Sequence, residues 1–248
     1  YSSNGTVTLY SYVSKLRQTI QPRGNTMKLK TLTSAATLTL VLGAAQANAA
    51  GIYITEWMYK GNGDEFIELT NLSGSAVDFS GWSYDDDSRT PGTFDLSGFG
   101  LVADGESVIL TEANAADFRT DWGLDGAVRV LGGVSNNIGR SDEINIYESF
   151  NGSTFPLADV LTYSDEDFPG SIRTDEVSGN PGTLAALGAN DVSAWVSSAV
   201  GDSFNSYFSI SGDLGNPGQF NPVPLPAAAW LFISGLAGLF GASLGRRA

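Results

Sequence analysis

Carboxylates dominate the chemistry this chain can offer: 27 Asp and Glu stand against 13 Lys and Arg, with no His and no Cys. The missing residue types narrow the field at once. Without His there is no Ser-His-Asp or Cys-His machinery, no His-ligated zinc and no imidazole base poised near neutral pH. What remains is carboxylates, Tyr, Lys60 and hydroxyls. Asp78-Phe79-Ser80-Gly81 and Asp95-Leu96-Ser97-Gly98 each hold one residue too many for the aspartic-protease triplet. Paired-carboxylate glycosidase chemistry stays open on residue types alone, but acidic pairs are so common here that none stands out. The sequence therefore assigns no catalytic, cofactor-binding or metal-binding residue. A carboxylate-based hydrolase ranks last among the alternatives.

The densest charge is Asp85-Asp86-Asp87. Clustered hard oxygen ligands suit calcium in an extracellular module, yet the EF-hand spacing with its central Gly is missing. Charge runs usually face water, so a solvated acidic loop is expected there, and likewise at Asp165-Glu166-Asp167. Trp57 and Trp82 could stack on sugars, but within alternating strands they are expected in the core. Tyr84 is assigned the face opposite to Trp82 and expected to be exposed. Asn71-Leu72-Ser73 and Asn151-Gly152-Ser153 fit the glycan acceptor pattern and read as chance matches in turns.

All 27 acidic residues fall between Glu56 and Asp213, where only Lys60, Arg89, Arg119, Arg129, Arg140 and Arg173 are basic, a net charge of −21 for that span. Such a surface repels nucleic-acid phosphates and anionic lipid, so no nucleic-acid partner is expected. Without Cys, this body is held by its core alone.

These side chains need a scaffold, and the pattern predicts short strands. Residues 51–58 alternate apolar and polar positions with aromatic and β-branched enrichment, as a half-buried strand does. Gly61-Asn62-Gly63-Asp64 turns the chain into a second strand over 65–71, and 76–84 gives a third. Further strands are expected at 92–96, 106–111, 127–131, 143–148 and 160–163. Only 114–122 reads as a helix. Gly179-Asn180-Pro181-Gly182 and Gly215-Asn216-Pro217-Gly218 read as turns around Trp195, Phe204, Tyr207 and Phe208. Short strands punctuated by Gly, Asn and Asp argue for an antiparallel β-sandwich.

Ile54-Thr55-Glu56, Asp64-Glu65-Phe66-Ile67-Glu68-Leu69, Asn71 and Val77-Asp78-Phe79-Ser80-Gly81-Trp82-Ser83 follow the opening pattern of the lamin tail domain, which the chain resembles. Residues 101–110 resemble its next element, although Asp104 stands where a Pro is often found. Residues 141–147 and 159–163 resemble its later strands, and Gly170-Ser171-Ile172-Arg173 its closing segment. The resemblance implies an all-β, immunoglobulin-like antiparallel sandwich and a binding or structural module rather than an activity.

Both ends read as addresses. Met27-Lys28-Leu29-Lys30, an apolar run over 32–45 and Ala47-Asn48-Ala49 fit a signal peptide over 27–49, with Ala47 and Ala49 as the cleavage residues and signal peptidase as partner. Residues 1–26 precede it and are taken as upstream or misassigned sequence. At the other end, residues 227–244 hold no ionisable side chain, long enough to span a bilayer as a helix at about 1.5 Å per residue. Trp230 suits the interface and Arg246-Arg247 the cytoplasmic side, while Pro224 and Pro226 keep the preceding residues extended. This three-part tail, Val223-Pro224-Leu225-Pro226-Ala227 onward, resembles the PEP-CTERM sorting signal in its VPLPA-type variant. That resemblance implies an exosortase-type processing enzyme acting near the prolines, transient inner-membrane anchoring, and delivery to the surface or exopolysaccharide matrix of a Gram-negative-type bacterium.

The expected layout is thus extension 1–26, signal peptide 27–49, sandwich 50–173, C-terminal addition and tether 174–222, and sorting tail with transmembrane helix 223–248. The function expected is an exported structural, adhesive or binding module without catalysis or cofactor. A calcium- or glycan-binding surface domain and a permanently anchored protein are the alternatives.

Overall fold

The computed structural model describes residues 51–165 and 171–221. Both address segments, including Ala47, Ala49, Val223, Pro224, Leu225, Pro226, Ala227, Arg246 and Arg247, lie outside the described residues. Among the described residues no helix is long and apolar enough to cross a membrane.

In chain order the elements are β1 (Ile52–Met58), β2 (Phe66–Asn71), β3 (Val77–Asp78), β4 (Ser83–Asp85), β5 (Phe94–Asp95), β6 (Leu101–Val102), β7 (Ser107–Thr111), α1 (Ala115–Trp122) and β8 (Arg129–Leu131). Then follow β9 (Ser141–Tyr147), β10 (Leu157–Ser164), β11 (Gly179–Pro181), β12 (Trp195–Ser197), β13 (Tyr207–Phe208) and β14 (Leu214–Gly215). A six-stranded sheet runs β12-β11-β1-β2-β7-β8 and a four-stranded sheet β10-β9-β4-β5. Mostly strand with one α-helix, the described part agrees with an immunoglobulin-like sandwich.

The inner faces of the two sheets form one core. Ile52, Ile54 and Trp57 of β1 meet Ile67 and Leu69 of β2, Val108 and Leu110 of β7, Ile144 and Ile146 of β9, and Leu161 and Tyr163 of β10. Residues two apart on a strand share a face, but Ile54 and Trp57 are three apart. A bulge resolves this: the β1–β2 register shifts between Ile54 and Glu56. Asp159 of the opposite sheet accepts the Ile54 N–H at 2.8 Å.

Three expectations are corrected here. First, β1 is not half-buried: every residue but Tyr53 is buried, and β2 beside it is buried throughout. The outer face of the large sheet is covered as well, by Phe118 and Trp122 of α1 packed on Met58, Phe66 and Ile109. Second, the sandwich is not purely antiparallel, because β7 and β8 pair in parallel. The helix between them carries the chain back to the same end, as a parallel pair requires. Asn114 caps that helix by accepting the Ala116 N–H at 2.9 Å, and Gly123 ends it at φ 60°. Third, Gly179-Asn180-Pro181 is strand rather than turn, pairing Gly179 with Trp57 on one side and Ser197 on the other. The reading over 76–84 also divides, into β3 and β4.

Candidate functional site

The Asp triplet does not form a solvated loop throughout. Asp85 is fully buried, and its oxygens accept Asn136 Nδ2 at 2.9 Å, Ser88 Oγ at 2.7 Å and the Thr90 N–H. It staples the β4–β5 loop, and only Asp86 and Asp87 lean toward water. Asp165 is likewise engaged, accepting from Arg140 at 3.0 Å and from the Tyr59 hydroxyl at 2.8 Å. Among the described residues no group of three or more acidic side chains is arranged to hold a metal. Trp57 and Trp82 are buried in the inner core. Tyr84 is buried too, against expectation, with its hydroxyl donating to the Asn136 carbonyl at 3.0 Å. The reason is periodicity: Tyr84 is two residues from Trp82, so both side chains turn to one face.

Two clefts flank the β1–β2 loop. One, about 330 Å³, has Tyr59, Lys60, Glu65, Glu112, Asn137 and Arg140 in its walls. The other, about 300 Å³, lies between Asp117, Thr120 and Asp121 of α1 and Ile210 and Ser211. Asp64 belongs to both and sits in the left-handed region at φ 74°. The loop is fixed from the C-terminal segment by buried Asp213, which accepts the Asn62 and Gly63 N–H groups, each at 2.9 Å. Lys60 is paired with Asp175 at 2.8 Å and Arg140 with Asp165, so the cations on the rim are already committed. Glu65 accepts the Ile138 N–H with both oxygens, and burial pushes its carboxyl up to about 8. Such walls can hydrogen-bond a hydroxylated or cationic ligand.

The site that residue types alone did not single out is the carboxylate pair Glu56 and Glu68. The two residues face each other across β1 and β2, both fully buried on the outer face. Glu56 Oε1 accepts the Ser178 hydroxyl and, at 2.7 Å, the Asn216 N–H. Glu68 accepts Thr55 Oγ1 at 2.7 Å and the Gly218 N–H at 2.6 Å. Burial, and then mutual repulsion, drives the Glu56 carboxyl well above the ordinary glutamate range, and burial raises Glu68. A signal was present: Glu68 lies two residues from Phe66 and from Thr70, which puts a carboxylate on a face that Phe66 marks as covered.

No curated protein and no solved structure matches the chain significantly. One family model does match, the Lamin Tail Domain, over residues 45–165. That stretch contains β1 to β10 and both glutamates, while Ser178, Asn216 and Gly218 lie beyond it. Over residues 45–165, then, the chain is similar to the lamin tail domain.

Proposed function

We propose that the chain is an exported, non-catalytic structural, adhesive or binding module, sorted to the cell envelope or exopolysaccharide matrix by processing of its tail. The observation that carries this reading is the order of parts along the chain. A signal-like segment at 27–49 leads into the family match, and the Pro-bearing apolar tail with Arg246-Arg247 follows it. The body's net charge of −21 favours solubility and contact with polyvalent or polymeric cations over nucleic acid. In this reading Val223-Pro224-Leu225-Pro226 and Ala227 present the scissile region, the apolar run holds the substrate in the inner membrane, and the two arginines fix orientation.

Intact-mass measurement of the protein isolated from its own cells tests this. The expected mass corresponds to a chain that begins at Ala50 and lacks the apolar run. A mass that retains the run to Ala248 would replace sorting with permanent anchoring.

Glycan binding is a second reading, favoured by the cleft of about 330 Å³ beside Tyr59 and Asn137. Chemical-shift changes confined to those residues on adding polysaccharide fragments would support it.

A further inference from the structure

The buried glutamate pair has an uneven hydrogen-bond pattern. Three of its four carboxylate oxygens accept hydrogen bonds, and only Glu56 Oε2 has none. Each hydroxyl has one hydrogen, which fixes the direction of the surrounding contacts. Thr55 donates to Glu68, so across 2.7 Å Thr70 must donate to Thr55, and across 2.8 Å Ser107 must donate to Thr70. Ser178 donates to Glu56, so Ser198 must donate to Ser178 at 2.7 Å, while accepting from Asn180 Nδ2 at 2.9 Å. Every donor to the pair is neutral. Two facing anions in such surroundings need one neutralising charge. Of the four oxygens Glu56 Oε2 accepts nothing, so a proton there displaces no hydrogen bond.

Gly215 packs closely on the Oε1 side of Glu56. A Cβ on Gly215 would lie 2.8 Å from Glu56 Oε1, 2.9 Å from Ser178 Oγ and 3.1 Å from the Trp122 ring. The nearby charged groups are occupied elsewhere. From α1, Asp121 bonds Ser211 and Arg119 bonds the Val128 carbonyl. From β8, Arg129 pairs with Glu106. In the C-terminal segment Asp202 is saturated by Ala199, Phe204 and Ser206, and Asp213 by Asn62 and Gly63. The Tyr207 hydroxyl donates to the Trp122 carbonyl at 3.0 Å.

We propose that Glu56 and Glu68 form a one-proton latch: with the proton on Glu56 Oε2 they hold the C-terminal segment, through Ser178 beside β11 and through Asn216 and Gly218 over the outer face, and its loss in alkaline solution releases the stretch around Asn216 and Gly218 while β11 and β12 stay in the sheet. Three of the four donors to the pair, Ser178, Asn216 and Gly218, come from this segment. The sign follows from the raised carboxyls. The docked state binds the proton more tightly than the undocked one, so docking is strongest in acid and weakens as pH climbs above the ordinary glutamate range. The stretch around Gly218 runs straight into the tail, so its release lengthens the tether.

Hydrogen exchange of the full-length chain in detergent, from about pH 5 to 9 and corrected for intrinsic rates, tests the latch. Protection of the Asn216 and Gly218 amides should fall about tenfold or more over that range in the wild type. It should stay flat in Glu56→Gln, whose amide supplies the neutral partner permanently, and the Ile67 amide should stay protected in both. Glu68→Gln should flatten the profile too and serves if the first variant fails to fold. Glu65→Gln should leave the loss in place. Flat wild-type protection, abolition of the loss by Glu65→Gln, or restoration at high pH by millimolar calcium would each overturn the proposal, the last in favour of a bound ion.

Discussion

Trp57 of β1 and Tyr163 of β10 lie with ring centroids 4.0 Å apart and planes tilted by 35°, each from a different sheet. This contact joins the two layers inside the core, and Tyr59 extends it, 6.5 Å from Tyr163 and stacked. Large buried aromatics give sandwich interiors much of their cohesion.

Trp57→Ala should therefore cost about 3–5 kcal/mol, as large-to-small core changes do. Tyr207→Ala removes a partly exposed ring from Trp122 and should cost about 1 kcal/mol or less. Urea midpoints of the two variants check the ranking.

Asp85→Ala should destabilise by about 1–3 kcal/mol, because it strands the part-buried Thr90 N–H and Asn136 amide. Millimolar calcium should leave the wild-type melting midpoint unmoved, since the Asp85 oxygens are already saturated. A calcium-dependent rise would overturn that account.

Stability should decline from mildly acidic to alkaline pH. Burial pushes Asp159 up to about 6 and Glu65 up to about 8. Raised carboxyls bind protons more tightly in the folded state, so their contribution is complete below about pH 4. It is lost as pH passes the folded values, at about 1.4 kcal/mol per pH unit for each group while it titrates. Urea titrations across pH should show the slope, and Glu65→Gln should flatten its upper part.

Gly215→Ala should loosen the C-terminal segment at any pH, since the added methyl meets Glu56, Ser178 and Trp122 inside ordinary contact distance. Overpacking of this kind costs about 1–3 kcal/mol. Limited proteolysis should cut the variant between residues 198 and 213 well before wild type.

Strand pattern was legible where one face is apolar: β1, β2 and β7 agree with their expected ranges within two residues, and α1 was marked by Asn114 and the Phe118–Trp122 spacing. The parallel β7–β8 pair was hidden, because a helix of eight residues says nothing about where its strands land. Strand β11 was hidden because Gly and Pro mark turns locally, and only its distant partner Trp57 makes it a strand. Tyr84 was misplaced by an error of parity, and Asp85 by treating three adjacent carboxylates as one. The Glu56–Glu68 pair was one acidic pair among many, and its hydrogen-bond partners lie more than 100 positions away.

The pairing of Trp57 with Gly179 has a consequence for how this molecule is made. Strand β1 leaves synthesis more than 100 residues ahead of its outer neighbour β11. Until then β1 offers an open backbone edge, the feature by which nascent chains stick to one another. Closure over such a span is slow. If the chain is exported as proposed, threading it unfolded through a channel until Ser197 has cleared would complete the sheet without exposing that edge for long.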